Sequence, residues 1–309
     1  MASHASGEPC NRRHRPDSHR GDGRQSRGRI SAADLGIWND TQAQAFAEIN
    51  AQLAYFGAVP GIQLAHAGRK ASTQVPWRGG KSLPADDRLS WQTVAPSAVP
   101  FGHLADPVEL TTEGIEKVVA DFAAAATRAL KAEFKVVEIH AAHGYLIHQF
   151  LSPESNKRTD RYGGSFENRI RLLLEILSAV REVWPAELPL FVRVSATDWL
   201  TEERGLDVDS WTAHQTVALA NILSDYGVDL VDVSTGGNSP AARFRWSRDT
   251  RFRSPVACRT RACYRPPPSA SSPNPNRPRR SSKTEAQWRC SSAANCCVIP
   301  TGRAGRPVN

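Results

Sequence analysis

Val136-Val137-Glu138-Ile139-His140-Ala141-Ala142-His143-Gly144-Tyr145 is the stretch on which the fold of this chain turns. Its first five residues are β-formers with period-two alternation. That predicts a strand with Val137 and Ile139 on one side and Glu138 and His140 on the other. Two imidazoles and a phenol then arrive together at a glycine, where a strand gives way to a loop. In barrels of alternating strands and helices, this edge carries the chemistry. Histidines three residues apart can aim two N–H donors at one oxygen atom, and Tyr145 is close enough to supply a proton. On spacing alone the stretch suits polarisation of a carbonyl.

Reading outward, the same alternation of elements recurs. Ile115, Val118, Val119, Phe122, Ala126 and Leu130 fall on one helical face. After the strand, Ser165 offers an N-cap to a helix striped by Ile170, Leu173, Leu174, Leu177 and Val180, which Trp184-Pro185 ends. Leu190–Ser195 predicts a strand with Phe191, Arg193 and Ser195 on one face. A helix follows with Leu219, Ile222, Leu223 and Tyr226, ending at Gly227, and then a strand over Asp229–Ser234 before Gly236-Gly237. Upstream, Ala43–Ala54 reads as a helix and Val59–Ala65 as a short buried strand. The long polar loop from there to Ala95-Pro96-Ser97 suits a lid or a subunit contact.

About four strand–helix units are therefore legible, and the fold class is α/β. Short apolar strands with helical crossovers predict a parallel sheet, either doubly wound or part of a (β/α)8 barrel. The barrel is favoured. No Gly-x-Gly-x-x-Gly follows any strand, and polar residues sit at several strand ends instead of one.

The 309 residues carry a net charge of +8, spread unevenly. Residues 1–30 hold seven arginines against three acids, and residues 243–309 hold fifteen lysines or arginines against two acids. The middle, 31–242, is left at −9 and contains none of the six cysteines. The N-terminus has no apolar h-region, and no run of about 18 apolar residues exists, so a secreted or membrane-spanning protein is not expected. A cytoplasmic protein is.

Individual residues stand out. Arg193, in an otherwise apolar strand, must find an anionic ligand or pair with Glu138 or Asp232. Gln63, in Gly61-Ile-Gln-Leu-Ala-His66-Ala-Gly-Arg69-Lys70, is a satisfied strand-end polar residue or a ligand contact. His140 and His143 could be core histidines, or two ligands of a zinc ion that needs a third. The lack of cysteine in the core and the adjacent Gly144-Tyr145 make no metal the preferred reading. His148, Asn156–Gly164 and Glu167-Asn168-Arg169 read as a dense polar loop before a helix, fixed by its own ion pairs over the strand ends, with no catalytic part.

Three stretches, Gly61–Ala71, His140–Asn168 and Phe191–Ser195, resemble the Old Yellow Enzyme family of FMN-dependent NAD(P)H:flavin oxidoreductases, in its xenobiotic-reductase and NADPH dehydrogenase branch. His-Ala-Ala-His-Gly-Tyr-Leu followed by Ser155-Asn-Lys-Arg-Thr-Asp-Arg-Tyr-Gly-Gly-Ser165 is a specific match. Two departures are Glu154, where an apolar residue is more frequent, and Glu133, where glycine is usual. The resemblance implies a (β/α)8 barrel with FMN at its C-terminal mouth. Gln63 and Arg193 would bind the flavin. His140 and His143 would hold the carbonyl oxygen of an enone or xenobiotic while hydride passes from flavin N5 to the β-carbon. Tyr145 would give the α-carbon its proton, and NADPH or NADH would be the reductant. A homo-oligomer fits the resemblance too.

The likeness runs over about 28–243. Residues 1–27 and 244–309 do not match and have the composition of disordered segments. No residue for the FMN phosphate can be assigned there. Abrupt onset of Arg, Pro, Ser and Cys is what a GC-rich gene gives out of frame. The alternative expectation is therefore a truncated or frameshifted remnant with weak or no FMN binding. An Arg-rich tail on nucleic acid is a lesser one, lacking interleaved aromatics and any module signature.

Overall fold

The computed structural model describes residues 27–200, 208–242 and the strand 297–300. The sequence expectations for the basic ends lie outside the described residues, apart from that strand. In order, the main elements are α1 (Asp40–Tyr55), β1 (Gly61–Leu64), β2 (Val94–Ala95), β3 (Val108–Glu109), α2 (Thr112–Lys131), β4 (Val136–Ala141), α3 (Leu146–Leu151), α4 (Phe166–Val183), β5 (Leu190–Ser195), α5 (Ala213–Leu223), β6 (Leu230–Ser234) and β7 (Cys297–Pro300).

The helices begin where local chemistry satisfies their first N–H groups. Asn39 and Gln42 form a capping box on α1, and Thr212 and Gln215 form one on α5. Thr111 caps α2, and Ser165 caps α4 as the sequence predicts. Glu133, just past α2, stands at φ +63°, the left-handed conformation in which glycine costs nothing. Its carboxylate reaches Lys135 at 2.6 Å.

β1, β4, β5 and β6 pair in parallel and in chain order, and β7 runs antiparallel along β6. A doubly wound sheet would reverse its order at a switch point. This one does not, and α2 packs on α4 and α4 on α5, side by side. The parallel strands are thus a segment of barrel wall with its helices on one face. On that face Val137, Ile139, Val192, Val194 and Val231 are buried against Ile115, Phe122, Leu173, Leu177 and Leu219. This apolar layer fixes the register, since a one-residue slip would turn every valine over.

Two expectations change. β1 is short and largely exposed, with only Leu64 buried, because it stands at the edge of the described sheet. The residues after Tyr145 are not loop but α3, all six of whose residues are buried. A helix covered on every side shows no amphipathic stripe, so periodicity cannot reveal it.

Candidate active site at the strand ends

The face of the sheet opposite the helices carries Val136, Phe191 and Leu230 and turns polar toward the C-terminal ends of the strands. Parallel register sets Gln63 beside Glu138, and His140 beside Arg193 and then Asp232. Gln63 donates from Nε2 to Glu138 Oε1 at 2.5 Å, and Arg193 Nε lies 3.2 Å from Asp232 Oδ2. Of the two carboxylates the sequence offered Arg193, Asp232 is the one it pairs with.

Beyond β4 the chain enters a turn that few sequences tolerate. His143 has φ +57° and Gly144 φ +71°. A non-glycine residue there persists only where its surroundings over-determine it. The His143 N–H donates to Ser195 Oγ at 2.9 Å, and Ser195 Oγ donates to the Gly236 carbonyl at 2.8 Å. Lys70 Nζ donates to the His143 carbonyl at 2.9 Å and also reaches the Gly237 carbonyl. The Gly144 N–H donates to His148 Nδ1 at 2.9 Å, and His148 Nε2 lies 3.1 Å from Asp198 Oδ1, both side chains fully buried. Gly144 and Gly237 touch so closely that a Cβ on Gly144 would lie 2.2 Å from the Gly237 carbonyl oxygen. These glycines serve loop packing.

The turn brings the two histidines together. His143 Nδ1 is 3.3 Å from His140 Nε2, and His143 Nε2 is 2.6 Å from Ser234 Oγ. His140 Nδ1 accepts the Ala142 N–H at 3.1 Å, so its ring proton sits on Nε2 and points at His143. That proton donates to His143 Nδ1, which leaves the second ring's proton on Nε2, directed at Ser234. Both rings are therefore neutral, and both N–H groups are used within the site.

Burial, then the neighbouring cations and histidines, push His140 down to about 3 and His143 down to about 4. Burial likewise lowers His66 to about 4. Above an ordinary value of 6.5 none of this matters to stability. Below it the unfolded chain takes up protons that the folded chain refuses, so stability falls until the folded values are reached. Thermal unfolding is expected to move to lower temperature between about pH 7 and about pH 5, with a shallower slope in His140→Gln. An unchanged slope in that variant would contradict the neutral assignment.

Tyr145 is half-buried, with its ring centroid 5.0 Å from that of His140. Burial, aided by Asp34, raises its phenol, which keeps its proton. All five residues singled out in the sequence thus lie on β1, β4, β5 or the turn after β4. His140 touches both His143 and Tyr145, while Gln63 and Arg193 each bind a neighbouring carboxylate. Sequence reasoning missed Lys70, His148, Ser195, Asp198 and Ser234, whose roles depend on contacts between distant segments. One signal was available: Ser195 and Ser234 end adjacent strands in register. In the polar loop Arg158 bridges Asp160 at 2.5 Å and reaches Glu109 outside it at 3.1 Å, but His148, read as part of that loop, is instead buried on α3. Among the described residues no three His, Cys, Asp or Glu side chains gather as metal ligands, and no helix is long and apolar enough to cross a membrane.

Residues 23–257 match the profile of the NADH:flavin oxidoreductase / NADH oxidase family. An NADH:flavin oxidoreductase of Gibberella zeae is 49% identical over 223 residues, 70% of this chain and 54% of the relative. An NADPH dehydrogenase of Listeria innocua is 50% identical over 214 residues, 69% of this chain and 56% of the relative. The crystal structure of Old Yellow Enzyme from a Pichia species superposes with a TM-score of 0.51 at 33% identity, over 61% of this chain and 49% of that one. The chain spans about half the length of these curated relatives.

Proposed function

The chain belongs to the NADH:flavin oxidoreductase / NADH oxidase family, and on that premise we propose that its strand ends serve an FMN-dependent NAD(P)H oxidoreductase acting on α,β-unsaturated carbonyl compounds. The observation that carries the reading is the pair His140 Nε2 and His143 Nδ1, 3.3 Å apart and facing each other. A carbonyl oxygen seated between them could accept from both.

The donor set fits a flavin. The pyrimidine edge of FMN needs an amide that can donate and accept and a cation near the ring carbonyl that gains charge on reduction. Gln63 and Arg193, on the face of the same sheet opposite the helices, are of those types and would hold that edge. Asp232 Oδ1 is buried without a hydrogen bond among the described residues, which leaves the row spare acceptor capacity. When bound, FMN supplies a ring that accepts hydride from NADPH or NADH and delivers it to the substrate's β-carbon. The chain's own part is electrostatic and steric. His140 and His143 hold the substrate oxygen and draw electron density from the conjugated double bond. Tyr145, protonated and against the His140 ring, holds the proton that the α-carbon requires. Residues 28–243 form the unit that would carry this work.

The experiment is a titration of the full chain with FMN, followed by flavin fluorescence. Arg193→Met is expected to weaken binding about tenfold or more, as loss of a charged hydrogen bond should, and Arg193→Lys to weaken it less. Equal affinities in all three proteins would remove Arg193 from the flavin's surroundings.

A further inference from the structure

We propose that Ser234 is a positioning residue that switches His143 between two neutral tautomers and thereby opens the histidine pair to a ligand oxygen. The inference rests on the proposed function, in which His140 and His143 together hold such an oxygen.

The argument is one of proton count. His140 Nδ1 is committed as an acceptor, because a backbone N–H that cannot turn away, that of Ala142, donates to it at 3.1 Å. Its Nε2–H therefore always faces His143. With the two nitrogens 3.3 Å apart, His143 Nδ1 must accept that proton, since two N–H groups cannot point at each other at that distance. The His143 proton then lies on Nε2, and Ser234 Oγ, at 2.6 Å, accepts it. An oxygen seated between the rings reverses the demand. Both facing nitrogens must donate, so His143 must carry its proton on Nδ1, and its Nε2 becomes a half-buried acceptor in need of a donor. A serine hydroxyl can be either acceptor or donor by rotating about one bond. Ser234 is the group that can answer both states without any movement of the backbone.

The surroundings make a charged alternative unfavourable. Arg193, His148 and Lys70 all oppose protonation of His143, Asp232 alone favours it, and burial weighs more than any of them. A His143 cation could also present two N–H groups, but the site disfavours it. The tautomer shift moves one proton from Nε2 to Nδ1 through solvent or the ligand, with no net change in charge.

The test uses the full chain labelled with 15N-histidine, phenol as the probe, and the variants Ser234→Ala and Ser234→Thr. In the wild type, phenol is expected to move His143 Nδ1 from an unprotonated to a protonated nitrogen resonance, with Nε2 changing the opposite way. Ser234→Ala should bind phenol about tenfold more weakly, the cost of one unsatisfied buried acceptor. Ser234→Thr, which keeps the hydroxyl, should restore both affinity and the tautomer change. Circular dichroism of each variant separates loss of binding from loss of fold, and the threonine protein carries the comparison if the alanine protein unfolds. Phenol binding in which His143 keeps its resting tautomer, or in which alanine serves as well as serine, would overturn the role of Ser234. Failure of the folded wild type to bind phenol would instead overturn the oxygen-binding reading itself, and this inference with it.

Discussion

Asp198→Ala is expected to destabilise the protein by about 3–5 kcal/mol, because it leaves several buried donors without their acceptor. The carboxylate is fully buried and accepts from Ser152 Oγ at 2.5 Å and from the Trp211 N–H at 3.1 Å, with His148 Nε2 at 3.1 Å from its other oxygen. Burial alone would raise its pKa, but His148 and these donors outweigh it and hold the group below the usual aspartate range. A carboxylate so depressed contributes stability above the ordinary aspartate value and loses it as pH falls through the folded one. The deficit of Asp198→Ala should therefore be full at neutral pH and shrink in strong acid. Urea unfolding measures it. The loss should also be shared with His148→Ala, so that the double variant is less damaged than the sum of the two. A deficit under about 1 kcal/mol at neutral pH would mean that the cluster holds nothing together. The consequence reaches the site: His148 accepts the Gly144 N–H, and Asp198 fixes the ring that does so.

Gly144→Ala attacks the same turn from the other side. At φ +71° an alanine is strained, and its Cβ would meet the Gly237 carbonyl oxygen at 2.2 Å and Asn238 Cα at 2.7 Å. Both are backbone atoms, so neither can rotate away. Strain and overlap together predict a loss of about 2–4 kcal/mol. The loops after β4 and β6 must also part, which separates His143 from Ser234. The variant should thus lose affinity for an oxygen ligand beyond what its lower stability explains. Gly57→Ala is a control, since Gly57 has φ +80° with open space around it. It should cost only the conformational part, about 1 kcal/mol. If Gly144→Ala cost no more than Gly57→Ala, the close packing of the two loops would be refuted.

Much of this was legible in the chain itself. Alternation placed Glu138 with His140 and Arg193 with Ser195, and helical stripes located α2, α4 and α5, because each of these segments has one buried and one wetter face. Where that asymmetry fails, the reading fails too. α3 is buried all round and looks like no helix, and β1 lies at an edge and is less buried than its composition suggests. The histidine pair was legible as two donors for one oxygen. Its resting state was not, since the tautomers are set by Ala142 and by Ser234, ninety-odd residues further on. Asp198 and His148 escaped for a similar reason: nothing in the spacing says that a carboxylate after β5 meets an imidazole on α3.

The claim that the polar strand ends are a flavin face is tested most directly by adding FMN to the purified full-length chain and following its fluorescence. The account expects saturable quenching at one FMN per chain, weakened in Arg193→Met. Folded protein that leaves FMN fluorescence unchanged at concentrations well above those of the flavin would contradict it.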